Sequence, residues 1–309
     1  MYIGIDIGGT KCAVITADES GRFQKKIKFP TTTCEETLAR IFDAVAEMGD
    51  ARAIGISCGG PLDEKKGLIL SPPNLPGWDG IPITSMLTER FGIPATLCND
   101  ANACALAEWR FGAGQGTRNM VFMTFGTGLG AGLILDGRLY SGTNGNAGEA
   151  GHIRLAPEGP VGYGKIGSFE GFCSGGGLKQ IGTRIAKERL DRGETTSFCQ
   201  SYDELEQINA KVLAEAADRG DDAALLAYRI SAEKLGYGLS VLIDILNPEA
   251  IIIGSVFTRA EHLFREEMER VLKQEALAPA LEVCRILPAK LGDAIGDYAA
   301  IAVAMGGYQ

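Results

Sequence analysis

The same short pattern opens each half of the sequence: an apolar run, a glycine turn, and a second apolar run. Tyr2 to Ile7 and Cys12 to Thr16 read as strands around Asp6-Ile-Gly-Gly-Thr-Lys11. Met120 to Phe125 and Ala131 to Leu135 read as strands around Gly126-Thr-Gly-Leu-Gly130. A third strand follows each pair, Arg22 to Phe29 in the first half and Arg138 to Tyr140 after the hairpin signal Asp136-Gly137 in the second. Helices and strands then alternate. The first half continues with a helix through Leu38, Ile41, Val45 and Met48, where Thr33 and Glu36 form a capping box. A buried strand Ala53 to Ser57, a Pro/Gly-rich loop Pro72 to Pro82, and a short helix capped by Thr84 and ended by Gly92 come next. The half closes with a strand Ala95 to Cys98 and a helix Ala101 to Phe111. The second half carries helices near 178–190, 202–219 and 223–246, the last stopped by Asn247-Pro248. A strand Ala250 to Ile253, a helix Ala260 to Leu272, a strand Val283 to Leu287 and a final helix Ala294 to Met305 complete it. Such a repeat predicts a duplicated α/β architecture of two lobes around a central cleft. The expected lobes are 1–115 and 116–292, with the C-terminal helix, about 293–309, packing back on the first.

Composition agrees with a globular chain and narrows its partners. Of 309 residues, 30 are Lys or Arg and 39 are Asp or Glu, a net charge of −9 that disfavours a broad nucleic-acid-binding face. No apolar run reaches the roughly 18 residues of a membrane helix. The N-terminus reads at once as strand and turn, not as a signal peptide. The eight cysteines form no CxxC pair, which suits reduced, buried thiols. A cytoplasmic protein is expected.

Four places carry chemistry. The turn Asp6 to Lys11 lets backbone N–H groups approach phosphate oxygens, and its carboxylate can hold Mg²⁺ through water. The alternative is a plain hairpin with a surface Asp. The turn Gly126 to Gly130 partly fits the dinucleotide fingerprint, but a strand follows it where that fingerprint needs a helix. No GxxxxGK[ST] occurs. Asn99-Asp100 follows a strand and opens a helix, so Asp100 is either a base above a sheet edge or a helix N-cap. Glu149-Ala-Gly-His152 and Glu170 lie in a glycine-rich stretch, Ser141 to Gly177, with the carboxylates and imidazole a site needs to orient sugar hydroxyls; the alternative is a structural loop histidine, and His152 stands out only through its neighbours. His262, on a charged helix, reads as a solvated surface residue.

Together these residues resemble the ROK family of sugar kinases and sugar-responsive repressors over essentially the whole chain. The family's DxGGT phosphate turn is seen at Asp6 to Thr10, its Asn-Asp at Asn99-Asp100, and its second glycine turn at Phe125 to Gly130. Its ExGH motif matches Glu149 to His152, and its E-x-x-x-S-G matches Glu170 to Gly175. Gly59-Gly60-Pro61 and Pro73-Asn74-Leu75 resemble its sugar-lobe loops. Ile251 to Gly254 resembles the strand and turn that meet adenosine, with Ser255 in place of the usual second glycine.

The resemblance implies an actin-like (ribonuclease H-like) fold and ATP-dependent phosphorylation of a hexose or hexose derivative at the 6-hydroxyl. Asp100 would be the general base. Gly60, Asn74, Asn99, Asp100, Glu149, His152 and Glu170 would bind the sugar. Asp6, Gly8, Gly9, Thr10, Lys11, Gly126, Thr127, Gly128 and Gly254 would bind ATP, with Mg²⁺ at Asp6. The resemblance also implies a homodimer; the apolar helix 223–246 is either its contact or a buried helix within one lobe. The alternatives are a non-catalytic sugar-binding member and a repressor, although Tyr2 begins the first strand with no room for a helix-turn-helix.

The family's zinc loop, CxCGxxGCxE, is altered. Its cysteine positions fall on Val161, Tyr163 and Ser168, so no zinc site is expected. Tyr163, Ile166, Phe169 and Phe172 are expected to pack the loop instead, with His152 oriented by a hydrogen bond.

Overall fold

A computed structural model describes residues 1–306. Two five-stranded sheets repeat one topology. The first has the order Phe23–Pro30, Lys11–Ala17, Tyr2–Ile7, Ile54–Cys58, Ala95–Asn99. The second has the order Arg138–Leu139, Ala131–Leu135, Met120–Met123, Ala250–Ile253, Arg285–Pro288. In both, three sequence-consecutive strands are followed in the sheet by two that arrive later in the chain. This is the duplicated α/β architecture that the two glycine turns imply, and the actin-like fold that the family resemblance implies.

By internal contact the chain divides into two compact units. One holds residues 1–122, 132–147 and the chain from Lys290; the other holds 123–131 and 148–289. The last helix is Ile295–Met305; of the expected span to 309, residues 307–309 lie outside the described part.

In the first unit the central strand has two unlike faces. Ile3, Ile5 and Ile7, with Ile54 and Ile56 beside them, join one core with Leu38, Ile41 and Val45 of the helix Cys34–Met48. Thr33 caps that helix as expected, its Oγ1 accepting the Glu36 N–H at 3.3 Å. The opposite face carries Gly4 and Gly55. A Cβ on Gly55 would stand 2.1 Å from the Ala304 nitrogen and 2.3 Å from the Ala300 oxygen. Side chains alternate across a strand, so glycine at these positions lets the alanine-rich helix Ile295–Met305 lie against the sheet.

The register then fixes the edge that matters. Ile7 pairs with both Cys12 and Cys58, and Cys58 pairs with Asn99. Gly8-Gly9, Gly59-Gly60 and Asp100 therefore leave the sheet at one end, at the carboxyl ends of its parallel strands, where open α/β sheets bind ligands.

The second unit is built around the long helix Asp222–Leu246. Tyr228, Phe125 and Phe257 ring Phe264, with centroids 5.1, 5.3 and 5.7 Å from it. Gly238 of the long helix leaves space for Phe169, whose ring would touch a Cβ there at 2.3 Å.

Several elements differ from the sequence reading. Pro82, not Thr84, precedes the helix Ile83–Phe91, and Thr84 packs against Gly67. The expected helix 202–219 breaks at Ile208-Asn209 into a 3₁₀ turn, Tyr202–Gln207, and a helix, Ala210–Asp218, because Asn209 caps the N–H groups of Lys211 and Val212. The helix placed at 260–272 spans Val256–Glu275 with a kink at Ala260. Residues 278–283 form a short helix before the last strand.

Candidate functional site

In the first unit the turn after Asp6 is closed by backbone. Gly8 N–H donates to Lys11 O at 3.1 Å, and Thr31 Oγ1 donates to Gly8 O at 2.6 Å. Gly9 is pressed onto Asn74: a Cβ there would be 2.6 Å from the Asn74 Cβ and 2.7 Å from its carbonyl oxygen. The phosphate-type turn and the 73–75 loop are thus one surface, which their separation in sequence hides. Thr10 and Lys11 are exposed beside it.

Asp6 itself is half-buried, and its carboxyl is pushed up to about 6, first by burial and then by Asp297 and Asp100, against Lys11 and Lys26. Asp297 belongs to the first turn of the last helix and pairs with Lys26. Gly296, one residue earlier, leaves room for Asp6: a Cβ there would meet Asp6 Oδ2 at 2.7 Å. No local signal in the sequence joins residues so far apart.

At the neighbouring strand end the two readings of Asn99-Asp100 separate. The N-cap is Asn99, whose Oδ1 accepts the Ala101 N–H at 3.0 Å. That bond leaves its Nδ2 as the group to meet a ligand. Asp100 is the first helical residue, exposed, with Oδ1 2.8 Å from the Ala101 nitrogen. A Cβ on Gly59 would be 3.7 Å from Asp100 Oδ2, and one on Gly60 3.4 Å from Asn99 Nδ2.

The second unit gathers the remaining motifs. Its turn is closed by Gly126 N–H to Gly128 O at 3.0 Å and by Gly130 N–H to Thr124 Oγ1 at 2.8 Å. Leu129 donates its N–H to Glu170 Oε2 at 2.9 Å. Gly151 of the ExGH segment fits under the same residue; a Cβ there would meet Leu129 O at 2.1 Å and the Glu170 Cβ at 3.3 Å. Glu149 and His152 flank that contact and are exposed. Glu170 rides on the short helix Phe169–Phe172, held by buried Phe169 and Phe172.

The helix Gly175–Leu190, capped by Ser174, starts against the glycine turn, with Gly175 N–H on Gly126 O at 2.7 Å. The E-x-x-x-S-G motif ends at Gly175, while Ser174-Gly-Gly-Gly177 carries the cap signal of this helix. Gly254 N–H bonds Met123 O at 2.9 Å, and Ser255 sits at φ 54°, a conformation that favours glycine.

The altered loop is a two-residue hairpin, Val161–Gly162 with Lys165–Ile166, turning at Tyr163 and Gly164 with φ of 44° and 74°. Its packing corrects the expectation: Tyr163 is 82% and Ile166 51% exposed, and only Phe169 and Phe172 are buried. Polar contacts hold the hairpin. Gln180 bonds both the N–H and the carbonyl of Val161, at 2.8 and 2.9 Å. Lys165 Nζ reaches His152 O at 2.6 Å. Ser168 caps the Glu170 helix through Gly171 N–H at 3.0 Å. Among the described residues the His152 imidazole has no hydrogen bond; its backbone is fixed by Glu149 O and Lys165.

The donors do not fit zinc. Val161 and Tyr163 offer no suitable ligand, Ser168 is spent on the cap, and the buried Cys173 thiol bonds Ser231 O at 3.4 Å. No group of three His, Cys, Asp or Glu able to hold a metal occurs among the described residues. His262 Nε2 lies 2.7 Å from Asp218 Oδ1 on the surface, away from these motifs.

The sequence profile of the ROK family matches residues 2–306. The chain belongs to the ROK family. A glucokinase of Thermotoga maritima is 34% identical over 278 residues, 87% of this chain and 86% of that one. The N-acetylmannosamine kinase of Salmonella typhi is 31% identical, over 88% of each chain. The crystal structure of a ROK family glucokinase from Streptomyces griseus, in complex with glucose and AMPPNP, is 33% identical, covers 99% of each chain and superposes with a TM-score of 0.77.

Proposed function

We propose that this protein is an ATP-dependent sugar kinase that phosphorylates a hexose or hexose derivative at its 6-hydroxyl, with Asp100 as general base. Membership of the ROK family and the kinase relatives support sugar phosphorylation. The observation that carries the finer reading is the register Ile7, Cys58, Asn99, which brings the Asp6 turn, Gly59-Gly60 and Asp100 out at one sheet edge.

On this reading each residue has a task that its hydrogen bonds support. Asn99 donates from Nδ2, since its Oδ1 is taken by the helix. Glu170 accepts a sugar hydroxyl at Oε1, since Oε2 is taken by Leu129. Glu149 and His152 add an acceptor and an imidazole, and Gly60 and Asn74 complete the sugar contacts. In the first unit the N–H groups of Gly8, Gly9 and Thr10, with Lys11, and in the second unit those of Gly126, Thr127 and Gly128, have the role of phosphate donors, and Gly254 that of an adenosine contact. Phosphoryl transfer needs mainly positioning and charge neutralisation. Asp100 takes the proton as the sugar oxygen attacks the γ-phosphorus and the bond from that phosphorus to the β–γ bridging oxygen breaks, releasing ADP; the proton transfer is worth about 10²–10⁴ in rate.

Mg²⁺, when bound with ATP, neutralises phosphate charge. The half-buried carboxylate of Asp6 among Asp100 and Asp297 suits a divalent cation held through water, while no three-ligand cage occurs among the described residues. ATP dependence supports a cytoplasmic protein, and no described helix is long and apolar enough to cross a membrane. The sugar-binding reading needs no nucleic acid. A homodimer is supported by exposed Val241 and Ile245 of the long helix and by exposed Leu277, whose N–H donates to Asp244 Oδ1 of that helix at 2.8 Å; Leu235, Leu239 and Leu242 of the helix are buried within the unit. Light scattering at one chain mass would remove it.

An ADP-coupled assay over a panel of hexoses and N-acetylhexosamines tests the activity. Asp100→Asn should lose at least about 10²-fold in kcat while calorimetric sugar affinity stays within about tenfold. Sugar binding without turnover in the native protein would favour a silent sugar-binding member.

A further inference from the structure

We propose that Glu64 is a positioning residue for phosphoryl transfer, holding the strand–helix junction from which Asp100 projects. The inference rests on Asp100 being the base. Ala95–Asn99 is the edge strand of the first sheet, and Asn99 is the residue at which strand becomes helix. Glu64 Oε1 accepts the backbone N–H of Asn99 at 2.7 Å. The same carboxylate is hydrogen-bonded by the Cys98 thiol and by the Asn102 side chain. Donors from before, at and after the junction thus converge on one side chain.

Glu64 arrives on the segment that begins with Gly59 and Gly60, the glycines that lie against Asp100 Oδ2 and Asn99 Nδ2. One short stretch of chain therefore covers the junction with two residues that have no side chain and grips it with a third. Glu64 is half-buried, and burial raises its carboxyl above the ordinary range while the Asn99, Asn102 and Cys98 donors oppose that rise. A buried carboxylate with several donors is hard to replace by water.

Glu64 needs no contact with either substrate. It fixes where the backbone of residues 98–102 lies, and Asp100 has only its own χ angles with which to correct an error. Misplacement of a reacting group by about 1 Å costs up to about 10²-fold, without a matching loss of substrate binding.

Steady-state kinetics of Glu64→Ala and Glu64→Gln, with folding checked by circular dichroism at the assay temperature, test this. Glu64→Ala should lower kcat by roughly 10- to 100-fold with the KM for ATP within about threefold. The glutamine still accepts the Asn99 N–H and should restore kcat to within about fivefold. Hydrogen exchange should show the Asn99 amide protected in the native protein and in Glu64→Gln, and fast in Glu64→Ala. Normal kcat in folded Glu64→Ala overturns the proposal, as does Glu64→Gln being as slow as Glu64→Ala. Asp100→Asn in the same assay separates the two readings. Normal turnover there retires the base assignment whatever Glu64 does; an inactive Asp100→Asn beside a normal Glu64→Ala retires only the positioning role.

Discussion

Replacing Gly128 by alanine should weaken sugar binding from within the second glycine turn. The added methyl would stand 2.6 Å from Glu170 Oε2 and 3.3 Å from its Cδ. Carbon and oxygen need about 3.5 Å, so the carboxylate must retreat by on the order of 1 Å. It then loses the 2.9 Å bond from the Leu129 N–H and the position proposed above for Oε1 to meet a sugar hydroxyl. A hydrogen bond to a charged group contributes about 1.5–3 kcal/mol, which is roughly 10- to 150-fold in affinity. The backbone N–H of residue 128 survives the change, and the methyl points at Glu170, so binding of a nonhydrolysable ATP analogue should stay within about threefold. Separate calorimetric titrations with sugar and with AMPPNP read both numbers. Unchanged sugar affinity, or equal losses for the two ligands, would refute the reasoning: the first means Glu170 moves without consequence, the second that the whole turn has been distorted.

Because the folded pKa of Asp6, about 6, lies above its ordinary 3.8, this group opposes folding once it is charged. Its penalty is absent below about pH 4, grows as pH rises through about 6, and reaches on the order of 3 kcal/mol. Urea midpoints of the native protein should therefore gain on those of Asp6→Asn between pH 7.5 and 5; parallel pH curves would show that Asp6 is not held as described. Ser255→Gly should raise the urea midpoint by the equivalent of about 1–3 kcal/mol, since φ 54° with ψ −112° is a sparsely populated conformation for a non-glycine residue; a lowered midpoint would mean the serine side chain offsets the strain. Purified protein should carry far less than one zinc per chain by elemental analysis and keep its turnover after chelation and Mg²⁺ replenishment. Activity that only zinc restores would overturn the reading of the 161–168 hairpin.

What the sequence makes legible is whatever a turn or a strand end carries by itself. Asp6 to Lys11, Asn99-Asp100 and Gly126 to Gly130 are local patterns, and the backbone conformations they require are local too. The capping box of Thr33 and Glu36 is of the same kind. What it hides is pairing across the chain. Asn74 under Gly9, Gly296 and Asp297 beside Asp6, and Glu64 on Asn99 depend on register and helix placement that no window of sequence contains. The hairpin at Val161–Ile166 shows a different limit. Tyr163 and Ile166 are apolar enough to pack, but a two-residue hairpin puts Tyr163 at its tip, where hydrophobicity does not decide direction. Thr84 likewise has the chemistry of a cap, yet the chain turns two residues earlier, at Pro82.

The alanine helix lying on Gly4 and Gly55 has a consequence during synthesis. Residues 295–305 leave the ribosome after every residue of the second unit has been made. Until then the first sheet has lost its cover on one side, and the glycine face that fits a helix so closely meets water or another chain. At about 5–20 residues per second, the interval between Gly55 and Ala304 is on the order of ten to fifty seconds. The unit that begins first is therefore completed last. A nascent chain stalled before Gly296 should present a folded second unit beside a first unit that remains sensitive to protease and bound by chaperones.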